Sequence, residues 1–232
     1  MSKTTKDNDK IYISRFSAWA PGVENAKEWE EWALGKRDIS VSSDSPGINF
    51  TEPKFRRRLS QISKMTIQVV HDLLPVREDS KIIFLSFRGE ISQQFKVNKM
   101  LIEDNAILPA AFSISAFNAS VAIASMAFGL KGGYSAIFPG GNSFTSGLLL
   151  SEAAFHDTET QELIFIYADE EVPPEYSDIF PGKHFPLAFA FLLAREPGDF
   201  SIPLSSLKME TDTPDDFLKR LILLRRNCLL SC

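Results

Sequence analysis

From Ala106 to Ser151 the chain carries a single charged residue, Lys131. A stretch so nearly free of charge belongs in a membrane, inside a layered domain, or between subunits. A membrane helix needs about 20 consecutive apolar residues. The charge-free run from Ala106 to Leu130 is broken by Pro109 and Asn118 and by Ser113, Ser115, Ser120 and Ser125, and it is rich in Ala rather than Leu. It therefore reads as helix packed against protein, not as a span. Ala- and Ser-rich helix faces let backbones approach closely. The region is expected to be the heart of the domain and also part of a large protein–protein interface.

Around this centre, strand and helix patterns alternate. Ile11–Phe16 alternates as a strand and is followed by the turn signal Pro21-Gly22. Ala26–Leu34 reads as a short amphipathic helix ended by Gly35, its Trp29 and Trp32 packing residues rather than a ligand cage. Residues 36–54 form a polar loop. Phe55–Leu74 opens with Arg56-Arg57-Arg58 and then repeats apolar residues with helical period. Three arginines at a helix start oppose the macrodipole. They stand solvated, pair with acids, or meet phosphate or carboxylate on a partner. His71, on the same helix, reads as structural.

Lys81–Phe87 is a short, almost continuous apolar run, the mark of a buried strand, and Gly89-Glu90 breaks it. Ile91–Ile102, Asn118–Phe128 and Ser143–Phe155 read as helices; Tyr134–Phe138, Leu163–Ala168 and Leu187–Ala194 read as strands, with Phe200–Leu204 as a further one. A terminal helix covers Asp215–Leu230, with Pro214 at its start. The order gives an α/β fold, layered about a central mixed sheet. The expected units are a flexible N-terminus at 1–9, one domain at 10–205 and a helical tail at 206–232.

Charge and composition narrow the function classes. A net charge of -5 offers no basic field for nucleic acid or an anionic membrane. Three His and two Cys leave little material for acid–base, nucleophilic or metal chemistry. The cysteines, Cys228 and Cys232, would share a helix face, but no zinc set forms around them, and they read as a reduced tail. The polar start MSKTTKDNDK lacks the apolar core of a secretory signal, so a cytoplasmic protein is expected. Nothing suggests a metal or a redox cofactor.

The segment from Asn118-Ala119-Ser120 through Ser125 to Gly129-Leu130-Lys131-Gly132 resembles the N-terminal half of β-ketoacyl synthases, in which N-x-x-x-x-x-x-S-x-x-x-G-L-K-G leads into a strand and the nucleophile turn. Pro139-Gly140-Gly141-Asn142-Ser143 stands where that family has T-A-C-x-[ST]. Arg56-Arg57-Arg58-Leu59-Ser60 with Ser63-Lys64-Met65 is similar to the R-R-L-S-x-x-S-x-M helix of the ketosynthase-like chain-length-factor group. Leu163–Glu170 resembles the strand ending near G-x-x-E. The resemblance covers about residues 10–205 and implies a thiolase-like, half-size ketosynthase domain.

The departures carry as much weight. A ketosynthase attacks its thioester with a Cys, and here that position falls on Gly141, which has no side chain. Ser143 and Ser146 lie close by but not at the nucleophile position. His156 and His184 match neither histidine that the family draws from its C-terminal half, most of which lies beyond the end of this sequence. The resemblance therefore implies a non-catalytic, shortened chain-length factor of the type found with aryl polyene synthesis. It would form a heterodimer with a full-length β-ketoacyl-ACP synthase and meet the acyl chain on acyl carrier protein only indirectly. By family analogy the wall or floor of the acyl tunnel falls on Phe112, Phe117, Asn118, Val121, Ser125 and Met126. The strand that pairs across the dimer axis falls on Tyr134, Ser135, Ala136, Ile137 and Phe138. Two other readings stay open: a homodimeric ketosynthase-like scaffold or binding protein, and a Cys-independent decarboxylase or acyltransferase working through Ser143 or Asn142.

Overall fold

The computed structural model describes residues 11–230 apart from 24, 140–142, 157–160, 181, 183, 198–201 and 208–212. Six strands form one sheet: β1 (Tyr12–Trp19), β2 (Lys81–Leu85), β3 (Tyr134–Ile137), β4 (Glu162–Asp169), β5 (Leu187–Ala194) and β6 (Ile202–Pro203). Their order is β3-β2-β4-β5-β1-β6. The first three run parallel, and β5 is antiparallel to both β4 and β1, as is β6 to β1. The mixed, layered architecture expected from the sequence is the one present.

The β5 sequence LAFAFLLA shows why the sheet takes helices on both sides. Leu187, Phe189, Phe191 and Leu193 point to one face, and Ala188, Ala190 and Leu192 to the other. The large side meets α7 (Phe144–His156) and α8 (Pro214–Leu230) through Phe144, Leu148, Phe155, Phe217, Leu218 and Leu221. Phenylalanine fills this layer: Phe165 stacks on Phe191 at 4.7 Å, and the Phe144 ring meets Phe165, Tyr167, Phe189 and Phe217. The small side lets α3 (Gln61–Leu73) lie close, with Ile62, Met65, Val69 and Leu73 buried against β2, β4 and β5. Short helices α1 (Ala26–Ala33) and α2 (Pro53–Arg56) flank these layers.

The chain steps from β2 to β3 in one direction and from β3 back past β2 to β4 in the other. Right-handed crossovers then require the two connecting helices to lie on opposite faces. They do: α6 (Ala119–Ala127) packs beside α3 through Val121, whereas α7 packs on the far side. Before α6 the same connection holds α4 (Ile91–Asp104) and the single-turn α5 (Pro109–Ser113).

Three expectations change. The helix expected over Phe55–Leu74 is two helices, because Ser60 is extended and its hydroxyl accepts from Ser63 N at 3.1 Å, starting α3 afresh. Arg56, Arg57 and Arg58 thus sit on and just after α2, away from the α3 N-terminus. Arg56 Nη1 donates to Asn49 Oδ1 at 3.0 Å and Arg57 Nε to Pro53 O at 3.1 Å. The strand expected over Phe200–Leu204 is the two-residue β6, and Phe200 lies outside the described residues. The uncharged stretch, finally, is not the heart of the domain: the central strands β4 and β5 are, and β3 lies at the sheet edge.

Candidate functional site

The ends of β2 and β4 hold a polar cluster that the apolar pattern of those strands does not announce. Asp169, the last residue of β4, is fully buried. It accepts from Ser86 Oγ at 2.7 Å, Phe87 N at 3.2 Å, Arg88 N at 3.1 Å and Tyr167 Oη at 2.8 Å, and it pairs with Arg88 Nη2 at 3.2 Å. Burial, together with the Asp169 charge, holds the Tyr167 hydroxyl well above its usual range, so it stays a donor. Ser86 Oγ also accepts from Gly89 N at 2.7 Å. The turn from Ser86 to Gly89 is thus wound around one carboxylate.

The next residue, Glu170, points to the opposite side of the sheet end. It accepts from Ser92 N at 2.9 Å and Ile62 N at 3.3 Å. Glu90, also fully buried, accepts from Ser63 Oγ at 2.8 Å. Burial first, and the neighbouring Glu170 charge second, push the Glu90 carboxyl up to about 8. Glu170 is raised as well, mainly by burial. The folded state therefore keeps a proton on Glu90 that the unfolded chain has released, and stability falls as pH rises from 4.5 to about 8. Each unit of that gap costs about 1.4 kcal/mol. Glu90→Gln is expected to keep the Ser63 bond and remove most of this slope. Urea midpoints across the window check it; a wild-type profile as flat as the variant's would show that Glu90 is ionised in the fold.

The tunnel candidates take different places in the fold, some packed and some exposed. Val121 is packed into the core beneath α3, and Ser125 Oγ donates to Leu130 O at 3.0 Å, closing the end of α6. Phe117 wedges between Phe84 and Phe138, with ring centroids 6.3 and 6.2 Å away. A Cβ on Gly89 would lie 2.6 Å from its ring, so Gly89, at φ +56°, ties the β2 turn to Phe117. Asn118 Nδ2 donates to Tyr134 Oη at 3.1 Å. Phe112 and Met126 project outward, 62% and 75% exposed.

The Gly129-Leu130-Lys131-Gly132 motif works as a splice. Gly129 takes φ +64° to end α6, and Lys131 binds Glu78 through both its backbone N–H (2.6 Å) and Nζ (2.7 Å). A Cβ at Gly132 would lie 2.3 Å from Asp79 O, so only glycine fits there. The splice delivers β3 to the sheet edge, where one side pairs with β2 and the other meets no strand among the described residues. Tyr134 and Phe138 on β3 and just past it, and Leu149 and Leu150 on α7, are exposed apolar groups. Gly141 and Asn142 lie outside the described residues, as does Cys232. Ser143 Oγ accepts from Ser146 N at 3.4 Å, capping α7. His71 stacks on Phe50 with centroids 3.7 Å apart, and Trp29 meets Trp32 edge-on at 5.4 Å; both are packing contacts. No helix among the described residues is long and apolar enough to cross a membrane.

A model of the β-ketoacyl synthase N-terminal domain matches residues 29–219. No curated protein matches the sequence. Among solved structures, the fold is similar to a ketosynthase in complex with its chain length factor from Xenorhabdus doucetiae, at TM-score 0.69 and 23% identity over 82% of this chain and 80% of that one. It is similar also to the ishigamide ketosynthase/chain length factor, at TM-score 0.61 and 13% identity over 80% of this chain and 62% of that one. A ketosynthase from module 1 of the bacillaene synthase of Bacillus amyloliquefaciens FZB42 gives TM-score 0.56 and 14% identity, with 80% of this chain covering 42% of that one. The chain therefore spans most of the first neighbour's length and less than two thirds of the other two. At these identities the likeness is one of fold: a thiolase-like, ketosynthase-type domain.

Proposed function

The chain belongs to the β-ketoacyl synthase N-terminal domain family, and from that premise we propose that it is a non-catalytic, chain-length-factor-like subunit. Its partner is a full-length β-ketoacyl-ACP synthase, whose acyl or polyene tunnel it shapes in polyketide or aryl polyene synthesis. The observation that carries this reading is the open edge of β3. Natural sheets protect an exposed edge with charge, proline or a covering segment. From Tyr134 to Phe138 there is no charge and no proline, and Tyr134 and Phe138 are exposed. Such an edge is ready to accept a strand from another subunit. Glycine at the nucleophile position, Gly141, supports a role without covalent chemistry. The fold's likeness to ketosynthase/chain length factor assemblies agrees with it. The acyl carrier protein would then deliver its chain to the synthase, and the assembly would work in the cytoplasm.

In this reading Phe112 and Met126 complete the tunnel only when the partner covers them. Their exposure in the single chain is then the exposure of an unfilled interface. Phe117, held between Phe84, Phe138 and Gly89, is the rigid stop. Native mass spectrometry after coexpression with a full-length β-ketoacyl-ACP synthase from the same genome is expected to give a one-to-one heterodimer. Within it, Met126→Ala and Phe117→Ala lengthen the products without abolishing condensation. A homodimer that ignores the synthase would favour the scaffold reading. Unchanged products from both variants would remove the ruler role from these positions.

A further inference from the structure

Helix α4 is held to the domain by few of its side chains. Of its 14 residues only Ile91 and Val97 are buried. On the face turned away from Val97, Phe95, Asn98, Lys99 and Ile102 fall at i, i+3, i+4 and i+7, the spacing of a helix–helix seam. Ile102 is 82% exposed. The turn Pro174–Tyr176 stands as a wall beside this stripe. Its Tyr176 ring meets Phe95 edge-on at 5.3 Å, and the Tyr176 hydroxyl accepts from Asn98 Nδ2 at 3.5 Å. Between wall and helix runs a groove of about 520 Å³.

The charges of α4 oppose its dipole. Glu103 and Asp104 stand in the last turn, with no basic residue beside them there, at the carbonyl end that disfavours acids. Lys99 reaches Glu103 at 3.8 Å, but the pair is about 60% exposed and worth little. Exposed Lys96 stands seven residues before Glu103, two turns away on the same flank of the stripe.

A second α4, running antiparallel about a two-fold axis near Lys99, answers all of these features. Such an axis brings like flanks together, and each contact forms twice. Ile102 of each copy enters the groove beside Phe95 and Tyr176 of the other. Lys96 of each copy meets Glu103 of the other, in the way flanking charges set the orientation of paired helices. The acidic end of one helix then lies against the basic middle of its neighbour, and the two dipoles are opposed.

We propose that the outer face of α4 is a self-association surface that takes α4 of a second copy of this chain. The contact uses none of the residues Tyr134–Phe138. On the function proposed above, two heterodimers therefore join through it into a two-to-two assembly; the surface itself does not depend on that function.

Sedimentation velocity of the full chain across micromolar to millimolar concentrations tests it. One helix pair and a turn form a contact at the weak end of the range, so the midpoint from monomer to dimer is expected at roughly 10–100 μM. Ile102→Asp, at an exposed site, should leave the circular dichroism unchanged and keep the chain monomeric. Lys96→Glu sets like charges opposite one another and should weaken the dimer roughly tenfold. Adding Glu103→Lys to it should restore the dimer, because each copy then carries both exchanged charges. A chain that stays monomeric throughout, an Ile102→Asp variant that dimerises like the wild type, or a charge exchange without recovery would each overturn the surface. So would a dimer dissociated by Ala136→Pro and not by Ile102→Asp, which would place the self-contact on β3. An Ile102-dependent dimer in a chain that binds no synthase would keep the surface and discard the chain-length-factor role.

Discussion

In the proposed heterodimer, Ala136→Pro is expected to weaken pairing with the synthase strongly while leaving the chain folded. The register of β3 decides the position. Gly133 O accepts from Ile82 N at 3.0 Å and Ile137 O from Ser86 N at 3.2 Å. In a parallel ladder, alternate residues turn both backbone groups to the same neighbour. Positions 133, 135 and 137 therefore serve β2, and Tyr134, Ala136 and Phe138 present N–H and C=O to the open edge. Proline at 136 deletes the central outward N–H and places its ring where an incoming strand would lie. Edge strands tolerate proline because the inner ladder is untouched. The heterodimer Kd is expected to rise roughly a hundredfold, through one lost hydrogen bond and the steric block. The thermal midpoint of the isolated chain should change little. Native mass spectrometry reads the first quantity and circular dichroism the second. An unchanged heterodimer would mean that the synthase docks elsewhere, and the uncovered edge would lose its functional meaning.

That edge was only partly legible in the sequence. The near absence of charge between Ala106 and Ser151, where Lys131 alone is ionic, says that almost no residue there pays an ionic desolvation cost on being covered. It does not say what does the covering. A core and an unoccupied interface share one composition, and Phe112, Met126 and Phe138 turned out to stand on the surface. By contrast, β2, β4 and β5 were legible almost residue for residue, because a strand buried on both faces has no polar alternation to blur. The alternation of Phe and Ala in β5 even carried the packing: rings toward α7 and α8, small residues toward α3.

The polar cluster at the strand ends was the part least open to local reading. Asp169-Glu170 follows an apolar run, and Arg88-Gly89-Glu90 follows another, so each looks like a strand leaving for solvent. Their burial comes from contacts between positions about eighty residues apart, Ser86 and Arg88 with Asp169, and Ser92 with Glu170. No periodicity within either segment encodes that. The one local clue was the likeness of Leu163–Glu170 to a strand ending in a family glutamate. The split of Phe55–Leu74 had a clearer signal: Ser60 stands just before the apolar period of α3, the usual place for a capping hydroxyl.

Asp169→Ala is expected to be the most destabilising single change in the chain. It removes the acceptor of Ser86 Oγ, Tyr167 Oη and two backbone N–H groups, and it strands the Arg88 guanidinium, whose side chain is 8% exposed. Breaking a buried pair from one side costs about 3–5 kcal/mol, because the remaining charge has neither water nor partner. For a domain of this size that lowers the thermal midpoint by roughly 6–20 °C. Removing both charges should cost less than removing one. Asp169→Leu combined with Arg88→Met is therefore expected to be more stable than Asp169→Ala, although it has lost more hydrogen bonds. The order of the two midpoints is the test: a double variant less stable than the single would show that the backbone donors, not the stranded charge, set the cost. The same comparison reaches the interface. Asp169 winds the turn that ends in Gly89, and Gly89 seats Phe117 against Phe138 at the open edge. Loosening the turn should therefore weaken the proposed heterodimer even where the chain stays folded, and the weakening should follow the geometry of the turn rather than the charge, persisting in the double variant after its stability has partly returned.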